Sequence, residues 1–254
     1  MRKSDFTLPT LDDLFSTQAE RDDAKLERVR NIPLAELHPF KGHPFKVQNN
    51  EEMQRMIESI RKVGAITPAL ARPLPGGGYE LISGHRRLAA CQVLGVETMP
   101  VIVRELSDDE AVIAMVDANL QRETILPSEK AFAYKMKLEA MKRQAGRPKK
   151  NQSQVATKYD TASVIGHESG ESRDTVFRYI RLTNLVPPLL QMVDDGRIAF
   201  SPAVEVSYLT RDEQTELWDL IGREDATPSL SQSLRMKRLS REAKLTPEVL
   251  YAIL

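Results

Sequence analysis

Apolar and polar positions change rhythm once along this chain, near residue 125. Residues Met1 to Arg30 show no period; they are polar and charge-rich, "LDDLF" is their only apolar cluster, and they read as a flexible arm. From Ile32 short apolar runs alternate with helical stripes. "IPLAELHPF" predicts a short strand and a turn. "NNEEMQRMIESIRKVG" puts Met53, Met56, Ile57 and Ile60 on one helical face, with Asn50 as N-cap and Gly64 as stop. "PALARP" and "YELIS" predict two strands joined through Gly76 to Gly78, followed by a helix that closes at Gly95. "MPVIVREL" predicts a further strand. Ser107 and Glu110 stand in capping-box spacing before the helix that ends in "NLQRE".

After Thr124 the pattern predicts helices alone, punctuated by Gly146-Arg147-Pro148, Gly170, Pro187-Pro188, Gly196 and Pro228. "TASVIGHESGESRDTVFRYIRL" has the form of a helix-turn-helix: Ile165 and Gly166 where the helices pack, Gly170 in the turn, Ser172 as N-cap, Val176 and Ile180 inward. Arg173, Thr175 and Arg178 then point outward, at the end that would enter a major groove. Ser169 stands where an apolar residue is usual. A generic helical hairpin is the other reading of this stretch. In the tail, Thr210 and Glu213 form a second capping box before the apolar face Leu217, Trp218, Leu220 and Ile221, with Trp218 expected in the core. Leu234, Leu239 and Leu250 are expected to need a partner.

Composition narrows the classes. The chain has 254 residues, and its 36 Lys+Arg balance 36 Asp+Glu, so only the distribution of charge can indicate partners. Cys91 is the single cysteine, which excludes an internal disulfide, fits a reducing cytoplasm and predicts a packed thiol. The N-terminus lacks the apolar core of a signal peptide, and no apolar run is long enough to span a membrane. A soluble cytoplasmic protein, without membrane contact, is expected.

Two stretches carry candidate chemistry. In "YELISGHRRLAA" a strand ends at a glycine and feeds a helix whose unpaired N–H groups favour an anion. Arg86 and Arg87 add forked donors suited to phosphate oxygens. An ordinary strand-to-helix turn with solvated arginines is the alternative. In "DANLQRE", Asn119 and a nearby acid, Asp117, could hold a divalent cation that escorts phosphates. A polar helix end in water is the alternative there.

The two stretches in this order, separated by one strand and one helix, resemble the nucleotide-binding domain of ParB-type partition proteins, whose usual motifs are G-E-R-R and E-N-x-Q-R. "IPLAELHPF" and "ITPALARP" stand where that family has its first strand and the strand before the arginine motif. The resemblance runs from about Ile32 to Leu209. It implies an α+β nucleotide-binding domain of the ParB/sulfiredoxin-like kind, followed by an all-α helix-turn-helix domain and a helical tail. The divisions are then 1–30 arm, 31–125 nucleotide-binding domain, 126–209 helix-turn-helix domain and 210–254 tail.

It further implies CTP as ligand with Mg²⁺, slow CTP hydrolysis, and a nucleotide-gated clamp that loads at a centromere-like site on double-stranded DNA. Thr67, Pro68, Ser83, Gly84, His85, Arg86, Arg87, Asn119, Gln121 and Arg122 are the implied nucleotide residues, and Asn119 and Asp117 the metal candidates. Ser172, Arg173, Thr175 and Arg178, with Lys149 and Lys150, are the implied DNA contacts. His85 and Ala118 replace the family's two glutamates; a protonated His85 could donate to phosphate, whereas Ala118 can hold no metal. The implied partners are a ParA-type ATPase through the arm and a second copy of the chain, at the nucleoid. Lys135, Lys137, Lys142, Arg143, Arg147, Lys149 and Lys150, with only Glu139 among them, suit phosphate contacts. Family members usually end in a dimerisation domain that is not read before Leu254, so a truncated or shorter form is expected. A serine-kinase-like phosphoryl-transfer enzyme and a nucleotide-independent transcription regulator are the alternative functions. Sulfiredoxin chemistry needs a cysteine where His85 stands.

Overall fold

A computed structural model describes residues 28–47, 49–122, 124–144 and 161–254. Five short strands form one mixed sheet: β1 (Val29–Pro33), β2 (Leu37–Pro39), β3 (Ala69–Pro73), β4 (Tyr79–Ser83) and β5 (Thr98–Val103), in the order β1-β5-β3-β4-β2. The glycine-linked pair β3 and β4 is antiparallel, with Pro73 opposite Tyr79. β5 runs parallel to β3, β1 antiparallel to β5, and β2 parallel to β4.

Alternation along β4 decides what covers each face. Leu81 packs with Ala71, Met53, Ile57 and Cys91 beneath α1 (Glu51–Val63) and α2 (His85–Leu94). Ile82, one residue on, packs with Met115, Val116 and Ala133 of α3 (Asp108–Leu120) and α4 (Pro127–Gln144). The expected caps are present: Asn50 accepts from the Met53 amide at 3.0 Å, Gly64 ends α1 at φ 76°, and Ser107 and Glu110 form the capping box of α3. Cys91 is buried, as expected of a packed thiol.

Helices α5 (Thr161–Ser169) and α6 (Arg173–Leu182) make the helix-turn-helix. They are followed by α7 (Pro187–Asp194), α8 (Phe200–Val206), α9 (Arg211–Glu224), α10 (Leu230–Arg241) and α11 (Pro247–Ile253). α4 is the spine of the molecule. Its Ala133 joins the core under the sheet, Tyr134 and Leu138 pack on Ile165 and Val176 of the helix-turn-helix, and Ala131 joins the core of the C-terminal helices. A helix covered on three sides buries residues all round.

That placement corrects one expectation. Lys137 is 1% exposed and ion-paired to Asp117 of α3 and Glu168 of α5, so it offers nothing to a phosphate. Two more corrections come from the tail. Trp218 is 41% exposed, because the buried stripe of α9 runs through Leu217, Leu220 and Ile221 and leaves Trp218 at its border. Leu250 is buried within the chain and Leu239 packs on the same core, which leaves Leu234 as the exposed member of that trio. No helix among the described residues is long and apolar enough to cross a membrane.

Candidate functional site

The junction of β4 and α2 is built on Gly84. Its φ of +104° lies in the left-handed region, and a Cβ there would stand 2.8 Å from the Cβ of Ala69 on β3. Only glycine fits both constraints. As N-cap it has no side chain to close the first turn of α2, whose first helical bond is Leu88 N–H to Gly84 O at 2.9 Å. The turn therefore presents open N–H groups and the positive end of the helix dipole.

Arg86 and Arg87 leave this turn in different directions. Arg86 Nη1 bonds Glu52 Oε2 at 3.1 Å, while its Nη2 is buried with no hydrogen-bond partner among the described residues. A buried, unsatisfied charged donor is costly unless an acceptor arrives. Arg87 Nη1 donates to the carbonyls of Thr67 and of Pro68 (2.9 Å for the latter), tying the approach to β3 to the cradle. Burial holds its guanidinium below the usual arginine pKa.

Three cavities meet along these arginines. The central one, about 190 Å³, is lined by His43, Phe45, Lys46, Ser83, Gly84, His85, Arg86, Arg87, Asn119 and Arg122, among others. It shares Met56 and Arg87 with a largely apolar cavity of about 520 Å³ lined by Ile60, Val63, Ile66 and Thr67. On the other side it shares Lys46, Arg86 and Arg122 with a charged recess of about 90 Å³ that adds Glu52, Thr124 and Glu129. An elongated anion with an apolar end matches this series.

Two imidazoles line the central cavity. The rings of His43 and His85 lie 3.8 Å apart between centroids, tilted by 42°. The Phe40 amide donates to His85 Nε2 at 3.4 Å, and His43 Nδ1 lies 2.8 Å from the Phe45 carbonyl, which assigns the proton to that nitrogen. Burial, with His43 alongside, pushes His85 down to about 3, and burial lowers His43 too. Both rings are neutral at pH 7. In the site without an anion desolvation thus keeps His85 uncharged, and because its Nε2 accepts from Phe40, its proton sits on Nδ1. Asn119 Nδ2 donates to Met115 O at 2.8 Å, which leaves Oδ1 as that amide's acceptor. Asp117 does not join the site, since its carboxylate is held by Lys137. Gln121, the C-cap of α3, is exposed and does not line the three cavities.

In the helix-turn-helix, Gly166 is required by close packing, because a Cβ would lie 2.7 Å from Glu171 O. Ser169, out of place by polarity, bonds back to Ile165 O at 2.8 Å and so satisfies its hydroxyl inside the helix. Ser172 Oγ accepts from the Thr175 amide at 3.1 Å and shares a 2.8 Å bond with Thr175 Oγ1. Arg173 is exposed and lies over Phe177 at 4.9 Å. Arg178 lies over Phe200 at 4.9 Å and donates to Ser201 Oγ at 2.8 Å. Lys149 and Lys150 fall outside the described residues. A further basic group gathers at Tyr208, whose ring is approached by Arg181 (3.9 Å) and Lys237 (3.7 Å).

Residues 18–120 match the family of the ParB N-terminal domain. This chain carries a ParB N-terminal domain. It is 31% identical over 191 residues to the probable chromosome 1-partitioning protein ParB of Deinococcus radiodurans, covering 75% of this chain and 59% of that protein. It is 32% identical over 192 residues to the chromosome-partitioning protein Spo0J of Thermus thermophilus, covering 76% and 64%. The chain thus spans about three fifths of the length of these curated relatives. Its fold is similar to that of a Pnob8-like ParB-N domain, with a TM-score of 0.51 at 14% identity over 90% of this chain and 98% of that one.

The matched ParB N-terminal domain contains Thr67, Pro68, the Ser83 to Arg87 turn and Asn119, and ends just before Gln121 and Arg122. Sequence reasoning missed His43, Phe45, Lys46 and Glu52 beside this turn. One signal was present: the tetrapeptide His-Pro-Phe-Lys occurs at 38–41 and again at 43–46, and the second copy folds over the cradle.

Proposed function

We propose that this chain is a DNA-binding partition protein that recognises a centromere-like site through α5 and α6 and is gated as a clamp by CTP. The observation that supports it is the buried Nη2 of Arg86, without a partner among the described residues, beside a helix start that no side chain caps. That site stands on the same spine, α4, as the helix-turn-helix. Phosphate oxygens would satisfy that donor and the open N–H groups together. The apolar cavity beside Arg87, lined by Ile60, Val63, Ile66 and Thr67, would take the base. On this reading Ser83, Gly84, Arg86, Arg87, Asn119 and Arg122 form the nucleotide site, and Arg173, Thr175 and Arg178 face DNA. Plasmid, mobile-element or chromosome segregation is the role. The chain pairs with a second copy, meets a ParA-type ATPase through the arm that precedes β1, works at the nucleoid and hydrolyses CTP slowly.

Mg²⁺ is the implied component that the residues do not fit. It favours oxygen ligands with one or two carboxylates, whereas no carboxylate lines the central cavity, and the two in the adjoining recess are held, Glu52 by Arg86 and Glu129 by the Lys46 and Leu126 amides. Among the described residues, no group of three or more His, Cys, Asp or Glu could hold a metal.

The test uses the full chain and the duplex it selects from a random pool. Isothermal titration should show CTP bound in preference to ATP, GTP and UTP. Arg86→Ala should weaken CTP roughly tenfold to a hundredfold, as loss of a buried charge-assisted contact allows, and leave duplex binding intact. Arg173→Ala should do the reverse, narrowing the ratio of specific to random duplex affinity by roughly tenfold or more. Unchanged CTP affinity in Arg86→Ala would remove the site assignment. An unchanged ratio in Arg173→Ala would remove the assignment of α6.

A further inference from the structure

The central cavity has an unusual charge inventory for a triphosphate site. Four cationic side chains line it, Lys46, Arg86, Arg87 and Arg122, together with two neutral imidazoles and the Asn119 amide. The nearest acids, Glu52 and Glu129, line the adjoining recess and already have partners. Glu52 is bonded to Arg86. Glu129 accepts the backbone N–H groups of Lys46 (2.7 Å) and Leu126 (3.2 Å), one on each carboxylate oxygen. Asp117 is bound to Lys137 on the α4 side of α3. Position 118, next to Asn119, is an alanine.

The imidazoles do not make up the deficit. The Nε2 of His85 is engaged by the Phe40 amide, and an imidazole nitrogen is a poor ligand for a hard cation such as Mg²⁺. Asn119 Oδ1 and the Ser83 hydroxyl are the neutral side-chain oxygens at the cavity wall, and neither neutralises a dication. Cations, in contrast, surround the place where phosphate oxygens would lie. A divalent ion brought in on the nucleotide would occupy the oxygens that Arg86 and Lys46 could otherwise reach, and would stand among Lys46, Arg87 and Arg122, with Arg86 alone paired to an acid among the described residues.

We infer that this chain binds its nucleoside triphosphate directly through Lys46, Arg86, Arg87 and Arg122, without a divalent cation, so that Mg²⁺ competes with these side chains for the phosphate. The inference rests on the nucleotide reading proposed above. Lys46 then acts as a phosphate ligand that takes over part of the metal's role. Its side chain is exposed and lines both the central cavity and the charged recess, so replacing it leaves the core untouched.

The experiment is isothermal titration of the full chain with CTP at constant ionic strength, once in EDTA and once with Mg²⁺ in excess over nucleotide, repeated on Lys46→Gln. The wild-type affinity in EDTA should equal or exceed that in Mg²⁺. Lys46→Gln should lose about tenfold in EDTA, a loss typical of one charge-assisted contact. Binding that falls about tenfold or more when Mg²⁺ is removed overturns the inference and leaves the CTP reading standing. Unchanged affinity of Lys46→Gln in EDTA overturns it as well. No binding in either buffer overturns the nucleotide reading, and this inference with it.

Discussion

Helices α2 and α6 both carry arginine in their first turn, yet they treat the open N–H groups of that turn in opposite ways. α6 closes its own: Ser172 accepts from the Thr175 amide, and the arginines stand outside over the aromatic rings of Phe177 and Phe200. α2 leaves its turn open behind a glycine, half-buries its arginines and leaves one donor without a partner. A self-capped helix is complete without ligand and can present side chains to a surface as variable as DNA. An open turn with a buried donor is complete only when an anion arrives. The same two ingredients, arginine and a helix start, thus give a reading surface in one half and a closed receptor in the other. The N-cap residue decides which.

The sharpest way to break this contrast is at the glycines. Gly84→Ala places a Cβ at φ +104° and 2.8 Å from Ala69, and should lower stability by about 2–4 kcal/mol, combining left-handed strain with overpacking. Gly170→Ala, at φ +70° with open space around it, should lower it by about 1 kcal/mol, the strain alone. Denaturant unfolding of both variants checks the ranking. Equal losses would show that the cradle is not built on the close approach of β3 and β4.

How much of this was visible in the sequence follows from the same physics. A strand that ends in glycine before two arginines is a local signal, and the turn at Gly84 was legible. So were Gly166, Ser172 and the three predicted N-caps at Asn50, Ser107 and Thr210, because caps act within one turn. The loop bearing His43 and Lys46 was not legible as part of the site, since it reaches α2 only through the tertiary fold. Lys137 was misread for a related reason. In a run of lysines the period cannot tell a solvent face from a face that meets two further helices, and α4 has the latter. Trp218 shows the limit of apolar identity as evidence of burial, since one helical position decides whether a ring is inside.

The next effect concerns the two imidazoles that line the cradle. His85 titrates near 3 in the folded chain against 6.5 when free, and His43 is also lowered. Below pH 6.5 the unfolded chain binds protons that the folded one refuses. The stability is therefore full above pH 6.5 and is lost as pH falls from there toward 3. For His85 alone the loss at pH 5 is about 2 kcal/mol, from 1.36 kcal/mol per pH unit. Denaturant unfolding at pH 7.5 and pH 5 should show it, and His85→Gln should remove most of the difference. If wild type and variant respond alike to pH, the ring is solvated and titrates in the folded chain as it does in the unfolded one.

The smallest effect belongs to the other half. Ser172 was read both as an N-cap and as a DNA contact, and its geometry favours the first: its oxygen already accepts one amide and shares a bond with Thr175 Oγ1. Ser172→Ala should lower stability by about 1 kcal/mol, the usual worth of a cap. With α6 frayed at its start, binding to specific and random duplexes should weaken to the same modest degree, because both need the helix in place. CTP affinity should not change, since α2 has no share in that cap. A variant of full stability that loses only specific binding would place the hydroxyl on a base or phosphate instead. It would also dissolve the contrast between the two helices, because α6 would then be offering its own first turn to a ligand just as α2 does.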